Sequence, residues 1–253
     1  MSNTSIDSSY NEDYQALDVL PQDPEYIGFN LYLCSQLAET TLASNATLNG
    51  NTIVVTNATG FATGKAINIS QGNRIFQSLI TNVTGTTITL ASPLDYAFTT
   101  GAIVETGNWN LNQNGSVTPV IFKIKPPSGV KFHITAISIT ITDDGTMDDS
   151  KFGSLAALAN GIVCRRVNGN IANFFLITNN RGFYQTGYDY QYNDRAGGTG
   201  AYGFLARKKI REVNGNIISL NGATDDELQI IVRDNLTGLT EFTVQAHGHI
   251  VED

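Results

Sequence analysis

Lys131 to Val167 reads KFHITAISITITDDGTMDDSKFGSLAALANGIVCRRV, and its first half decides the fold class. Phe132, Ile134, Ala136 (or Ile137), Ile139 and Ile141 alternate with polar residues, the period-2 pattern of a strand with one buried face. The run ends at Asp143-Asp144-Gly145, followed by a second acidic pair, Asp148-Asp149. After the small-residue segment Leu155–Ala159, a second strand is expected over Gly161–Val167. We read the stretch as the central strand pair of a β domain, with an acidic loop at its rim.

Turn signals spread this reading outward. Pro126-Pro127, Asp144-Gly145, Asn160-Gly161, Asn168-Gly169, Asn214-Gly215 and Asn221-Gly222 divide the sequence after Val117 into short segments. Val-Asn-Gly-Asn-Ile occurs at 167–171 and again at 213–217, and Asn-Gly favours a two-residue hairpin turn. A closing hairpin is expected from Leu228–Asp234 through Asn235-Leu236-Thr237-Gly238 to Thr240–Val251. Many short strands, with no convincing helix beyond Leu155–Ala159, predict a jelly-roll-like β-sandwich over 113–253.

An internal duplication precedes it. Gly50–Val55 (GNTIVV) is answered by Gly85–Leu90 (GTTITL), and Phe61–Ile67 by Tyr96–Ile103. Two copies of strand, aromatic turn, Thr-Gly corner and strand, with another strand over Arg74–Asn82, predict a small β-barrel over 38–112, since closure removes sheet edges. Asn108–Ser116, which holds the sole tryptophan, Trp109, reads as a polar linker. Residues 1–37 read as an extended arm. Pro21 and Pro24 interrupt it, yet Tyr10, Tyr14, Tyr26, Phe29 and Tyr32 give it aromatic anchors, for its own domain or a neighbour.

Composition limits function. The 253 residues carry a net charge of −8 with only 15% charged residues, which argues against a nucleic-acid binder. No apolar run nears the ~20 residues of a membrane span. The amino-terminal residues lack the basic and apolar regions of a signal peptide, so Cys34 and Cys164 are expected reduced and packed. Asn-x-Ser/Thr triplets are read as turn and strand-surface residues. No nucleophile elbow, zinc-protease motif, phosphate loop or Cys/His cluster occurs. No catalytic residue, metal ligand or cofactor is assigned, and the chain is expected not to be an enzyme.

The candidate interaction residues are the arm aromatics, the basic run Arg207, Lys208, Lys209 and Arg211, and the tyrosines Tyr188, Tyr190 and Tyr192. The basic run serves either as a solvated strand edge or as a patch for an acidic neighbour. The tyrosines alternate onto one strand face and suit a sugar or a protein. The acidic loop Asp143–Asp149 lacks EF-hand spacing. His247 and His249 share a strand face and read as solvent-facing side chains.

Several segments resemble virion structural proteins of tailed bacteriophages: Ile88–Phe98 (ITLASPLDYAF), Gly115–Phe122 (GSVTPVIF), Met147–Gly153 with Asn160–Val163, and Asp234–Val251. The likeness covers most of residues 45 to 253. It implies a β-rich, ring-forming component of the tail, baseplate or neck, and it transfers no site residues. The expected partners are other virion proteins and further copies of the chain, in the virion after assembly in the host cytoplasm, without nucleic acid or membrane. A carbohydrate- or receptor-binding module on the virion surface is the alternative.

Overall fold

The computed structural model describes residues 27–144, 148–182, 189–194, 201–210 and 215–252, with side chains described except at 27, 144, 189–194, 201, 202, 204 and 252. The chain is all-β and forms three antiparallel sheets.

The amino-terminal sheet contains β2 (Ser35–Thr41), β3 (Thr52–Val54), β4 (Ala66–Gln71), β5 (Arg74–Thr84), β6 (Thr87–Leu90) and β7 (Ile103–Asn108), in the order β2-β7-β4-β5-β6-β3. The duplication appears as pseudo-symmetric pairing. The two GNTIVV-like strands pair with each other, Ile53 opposite Ile88, and β4 pairs with β7. Each Thr-Gly corner receives a residue of the other copy. The Gly64 N–H donates to the Ile80 carbonyl and the Ile80 N–H to Lys65, just as Gly101 donates to Leu42 and Leu42 to Ala102. Gly64 and Gly101 hold φ of 81° and 89°, a region costly for residues with a Cβ.

The expected barrel does not close. The equivalent of the β5–β6 ladder would be β2–β3, but there only the bridge Leu42–Val55 and its neighbouring hydrogen bonds form. The reason lies in the connections: β5 and β6 share a two-residue turn, whereas residues 42–51 between β2 and β3 turn away to pair Ala46 with Phe98. Leu42, Ile53, Ile67, Ile69, Ile88, Phe98 and Val104 fill the core of this unit.

The other two sheets share one core. A long sheet has the order β1-β16-β9-β13-β12, from β1 (Ile27–Tyr32), β9 (Val130–Asp144), β12 (Asp189–Asp194), β13 (Ala201–Lys209) and β16 (Glu241–Glu252), with β14 (Ile218–Asn221) also on β9. A short sheet has the order β11-β10-β15-β8, from β8 (Val120–Ile124), β10 (Ile162–Val167), β11 (Ile171–Ile177) and β15 (Glu227–Val232). The 15-residue β9 is the central strand expected from the alternation. A bulge opposite His247/Gly248 leaves Thr135 without a partner on β16 and shifts the inward set to Phe132, Ile134, Ile137, Ile139 and Ile141.

Four expectations change. Strands β9 and β10 belong to opposite sheets rather than pairing, and Phe152 and Leu158, which follow β9 in the chain, are buried in the shared core. Strands β15 and β16 likewise separate, so the closing hairpin does not form. Here Asp234 draws the connection in: its carboxylate accepts the N–H groups of Ala159, Asn160 and Gly161, the last at 2.7 Å. Residues 27–37, read as arm, are strand instead. Phe29, Leu31 and Leu33 alternate into the core, and β1 adds to the edge of β16 with Ile27 opposite Ile250. The stretch 108–116, read as linker, is pinned. Trp109 stacks on Tyr32 with centroids 4.8 Å apart, Leu111 is buried, and the Asn110 side chain accepts the Phe242 N–H. The Asn168-Gly169 turn forms its hairpin, with Val167 opposite Ile171.

Segment 27–41 therefore touches all three sheets. Its middle residue Cys34 exchanges backbone hydrogen bonds with Lys123 of β8, at 3.1 and 2.9 Å. Gln77 of β5 clamps Tyr32, accepting its N–H at 2.8 Å and donating to its carbonyl at 3.0 Å.

Candidate interaction surface

The outer face of the short sheet carries an apolar row where alternation calls for polar residues. The register places Leu176 of β11, Val163 of β10, Ile231 of β15 and Ile121 of β8 side by side. These belong to the runs Phe175–Ile177, Ile162–Cys164, Ile230–Val232 and Val120–Phe122, apolar on both faces. Such runs suit a sheet covered on both sides. Here Leu176 and Ile121 remain 57% and 39% exposed, at the two ends of the row. Burial of Leu176 alone against a partner would be worth about 1 to 2 kcal/mol.

A polar belt borders the row. Arg165 Nε donates to Gln229 Oε1 at 2.8 Å, Gln229 Nε2 to Glu227 Oε2 at 2.6 Å, and Lys123 Nζ pairs with Glu227 at 2.5 Å. Lys125 continues the belt to Asp225 at 2.7 Å, and this hydrogen bond raises the lysine's pKa and lowers that of the exposed aspartate. The side chains of the belt are thus held in place beside an apolar strip that is exposed at its two ends, with Val163 half-buried and Ile231 buried between them.

Behind the belt, a cavity of about 50 Å³ separates the amino-terminal sheet from β8, bordered by Cys34, Asn68, Glu105 and Lys123. It has room for a water molecule or two. Burial, and after it the charge of Glu39, raises the Glu105 carboxyl. Burial, and after it Glu105, pushes the Cys34 thiol up to about 12. At neutral pH Cys34 is therefore a protonated, unreactive packing residue, and Cys164 is likewise free and buried.

The structure redistributes the residues singled out from sequence. Phe29 is buried against Phe132 at 4.8 Å, and Tyr32 lies against Trp109, so both are used within the chain. Tyr10, Tyr14, Tyr26, Tyr188 and Arg211 lie outside the described residues. Tyr190 and Tyr192 sit on β12 opposite Ala206 and Phe204. The basic run is split by strand alternation. Arg207 and Lys209 are exposed, while Lys208 points inward and is 1% exposed. Its Nζ lies 3.4 Å from the Gly182 carbonyl and 5.1 Å from the Phe175 ring centre, and burial lowers its pKa to about 8. The basic run at 207–211, read as a solvated edge or a patch for an acidic neighbour, thus loses Lys208 to the core.

Of the acidic loop, Asp143 and Asp148 are engaged by neighbouring donors. Asp143 is buried and accepts the Ser154 N–H at 2.8 Å. Asp148 Oδ1 accepts both the N–H and the hydroxyl of Ser150, which lowers its carboxyl pKa. The three histidines gather on the outer face of the long sheet. His133 Nδ1 is 3.1 Å from His249 Nε2, and His247 bonds Asn30 at 2.5 Å and Ser138 at 2.6 Å. Sequence spacing linked His247 with His249; the register instead puts His133 opposite His249. No protein-family model matches the chain, and no curated protein matches it either.

Proposed function

We propose that the chain is a non-enzymatic structural component of a tailed-phage particle, joining a ring or attachment in the neck, collar, tail or baseplate through subunit–subunit contacts. The observation that supports the contact role is the apolar row Leu176–Val163–Ile231–Ile121 beside an ordered polar belt. The phage setting rests on the resemblance of segments such as Ile88–Phe98 and Asp234–Val251. In the same reading, the two sheets around the shared core are a jelly-roll-like sandwich. The open amino-terminal sheet is a barrel lacking one ladder.

The occupant of the row is a second copy of this chain. An apolar strip flanked by both signs of charge, Arg165 and Lys123 against Glu227, is able to match its own inverted image. The test is the mass of the native protein in solution by analytical ultracentrifugation. Wild type is expected to form a defined oligomer, and Leu176→Lys with Ile121→Lys to give a folded monomer. A monomeric wild type, or unchanged assembly of the double variant, sinks the reading. The carbohydrate- or receptor-binding alternative gains no observation here, because its tyrosines lie outside the described side chains.

A further inference from the structure

We infer that His133 and His249 form a binding site for a divalent transition metal of intermediate softness, such as Zn²⁺, Ni²⁺ or Cu²⁺. The two residues are directly opposite partners on neighbouring antiparallel strands. Their nearest ring nitrogens are 3.1 Å apart, with the ring planes at 81°. Two imidazole nitrogens each ~2.0–2.1 Å from one ion, at the 90–109° of octahedral or tetrahedral geometry, stand about 2.8–3.4 Å apart. The observed separation lies inside that range, so an ion is able to replace the hydrogen bond with little movement of the backbone.

The fold fixes this spacing. Gly248 lets β16 approach β9 so closely that a Cβ there would fall 2.0 Å from the His133 carbonyl. The bulge at His247/Gly248 changes the strand phase immediately beyond the pair. His247 is held apart by Asn30 and Ser138 and does not join the site. His249 also borders an open depression of about 490 Å³, with Gly28, Asn30 and Thr135 along its wall. This leaves space for the water molecules that complete the ion's coordination. Burial lowers the pKa of both histidines, and Lys131 acts in the same direction on His133. Both rings are therefore neutral at pH 7.5, the form that ligates. In the hydrogen-bonded pair one ring donates its N–H to the other. Binding the ion moves that proton to the ring's other nitrogen, a change of tautomer with no net proton release. Imidazole donors favour Zn²⁺, Ni²⁺ and Cu²⁺ over the oxygen-seeking Mg²⁺ and Ca²⁺.

The experiment uses the untagged full chain, stripped with a chelator and melted at pH 7.5 with increasing ZnCl₂, NiCl₂ or CuCl₂. A saturable rise in Tm of several degrees is expected for these ions and none for MgCl₂ or CaCl₂. His133→Gln and His249→Gln, which keep a hydrogen-bonding side chain, should each abolish the rise. His247→Gln should retain it, whatever its own Tm. Electron paramagnetic resonance of the Cu²⁺ form should show two equatorial nitrogens, reduced to one in either of the first two variants. Absence of a saturable rise in wild type, or its survival in both His133→Gln and His249→Gln, overturns the proposal.

Discussion

The amino-terminal sheet and the two carboxy-terminal sheets use the same antiparallel hydrogen bonds but assemble their cores over different distances in sequence. The amino-terminal core is drawn from Leu42 to Val104 and repeats one motif twice. The carboxy-terminal core reaches from Phe29 to Ile250. Their buried polar groups differ too. In the first unit these are hydroxyls such as Ser78 and Thr106, whereas the second encloses Asp143, Lys208 and Asp226. A local, repeated core closes with glycine corners and threonine ladders. A core spanning the chain needs carboxylates to hold its crossings, as Asp143 does at Ser154 and Asp234 at Gly161.

The largest effect should come from removing one aromatic from each core. Phe242→Ala, which loses the contact with Phe152 at 5.6 Å, should cost about 4 kcal/mol, and Phe98→Ala about the same or slightly less. Hydrogen exchange should show each variant loosening its own sheets first. Equal loss of protection in all three sheets for both variants would break the distinction between the units.

Lys208→Met sharpens the comparison in the opposite direction. The ammonium of Lys208 is a buried charge with its pKa lowered from 10.5 to about 8. Between those values the unfolded chain binds more protons than the folded one, so this group makes stability rise with pH. Below pH 8 its full cost is present, on the order of 3 kcal/mol. Lys208→Met should therefore be more stable than wild type at pH 7 by up to that amount. The advantage should shrink as the pH rises from 8 towards 10.5. Denaturant melts at pH 7 and pH 9.5 decide this, and a pH-independent difference would contradict it.

The smallest effect concerns the join. Gln77→Ala removes both hydrogen bonds to the Tyr32 backbone and should cost about 1 to 2 kcal/mol. Exchange of the Tyr32 amide should accelerate while the cores keep their protection. Unchanged exchange at Tyr32 would show that the Trp109 stack and the Cys34–Lys123 bridge hold the units together without it.

Local patterns were legible in the sequence because they report local geometry. The alternation from Phe132 to Ile141 revealed β9, Asn168-Gly169 revealed the β10–β11 turn, and the GNTIVV-like repeat revealed strands that become partners. Even the doubt between Ala136 and Ile137 marked a real bulge, since an extra residue breaks the period. Pairing across the core was hidden, because nothing local tells β10 from a neighbour of β9. The strand at 27–32 was hidden by the prolines before it and by its distance from Ile250. Lys208 was hidden because a basic run suggests a surface, although alternation must turn one of three consecutive residues inward. The apolar row left a signal: Ile121, Val163, Leu176 and Ile231 interrupt the polar phase of their strands. Its meaning required the register that aligns them.

The pairing of β1 with β16 has a consequence for synthesis. Ile27 must wait for Ile250, and at ~5–20 residues per second the ribosome needs roughly 10 to 45 seconds to make the intervening chain. Strands β2 to β7, between Ser35 and Asn108, emerge early and have their strand partners within that span. Phe29 and Leu31 emerge sooner still, yet their place on the long sheet exists only after β16 has left the tunnel. Throughout that interval the nascent chain carries an apolar strand with an open edge, the form most prone to pairing with another chain. Crowded polysomes would therefore favour exchange of β1 between neighbouring copies, and a slower arrival of β16 would increase it.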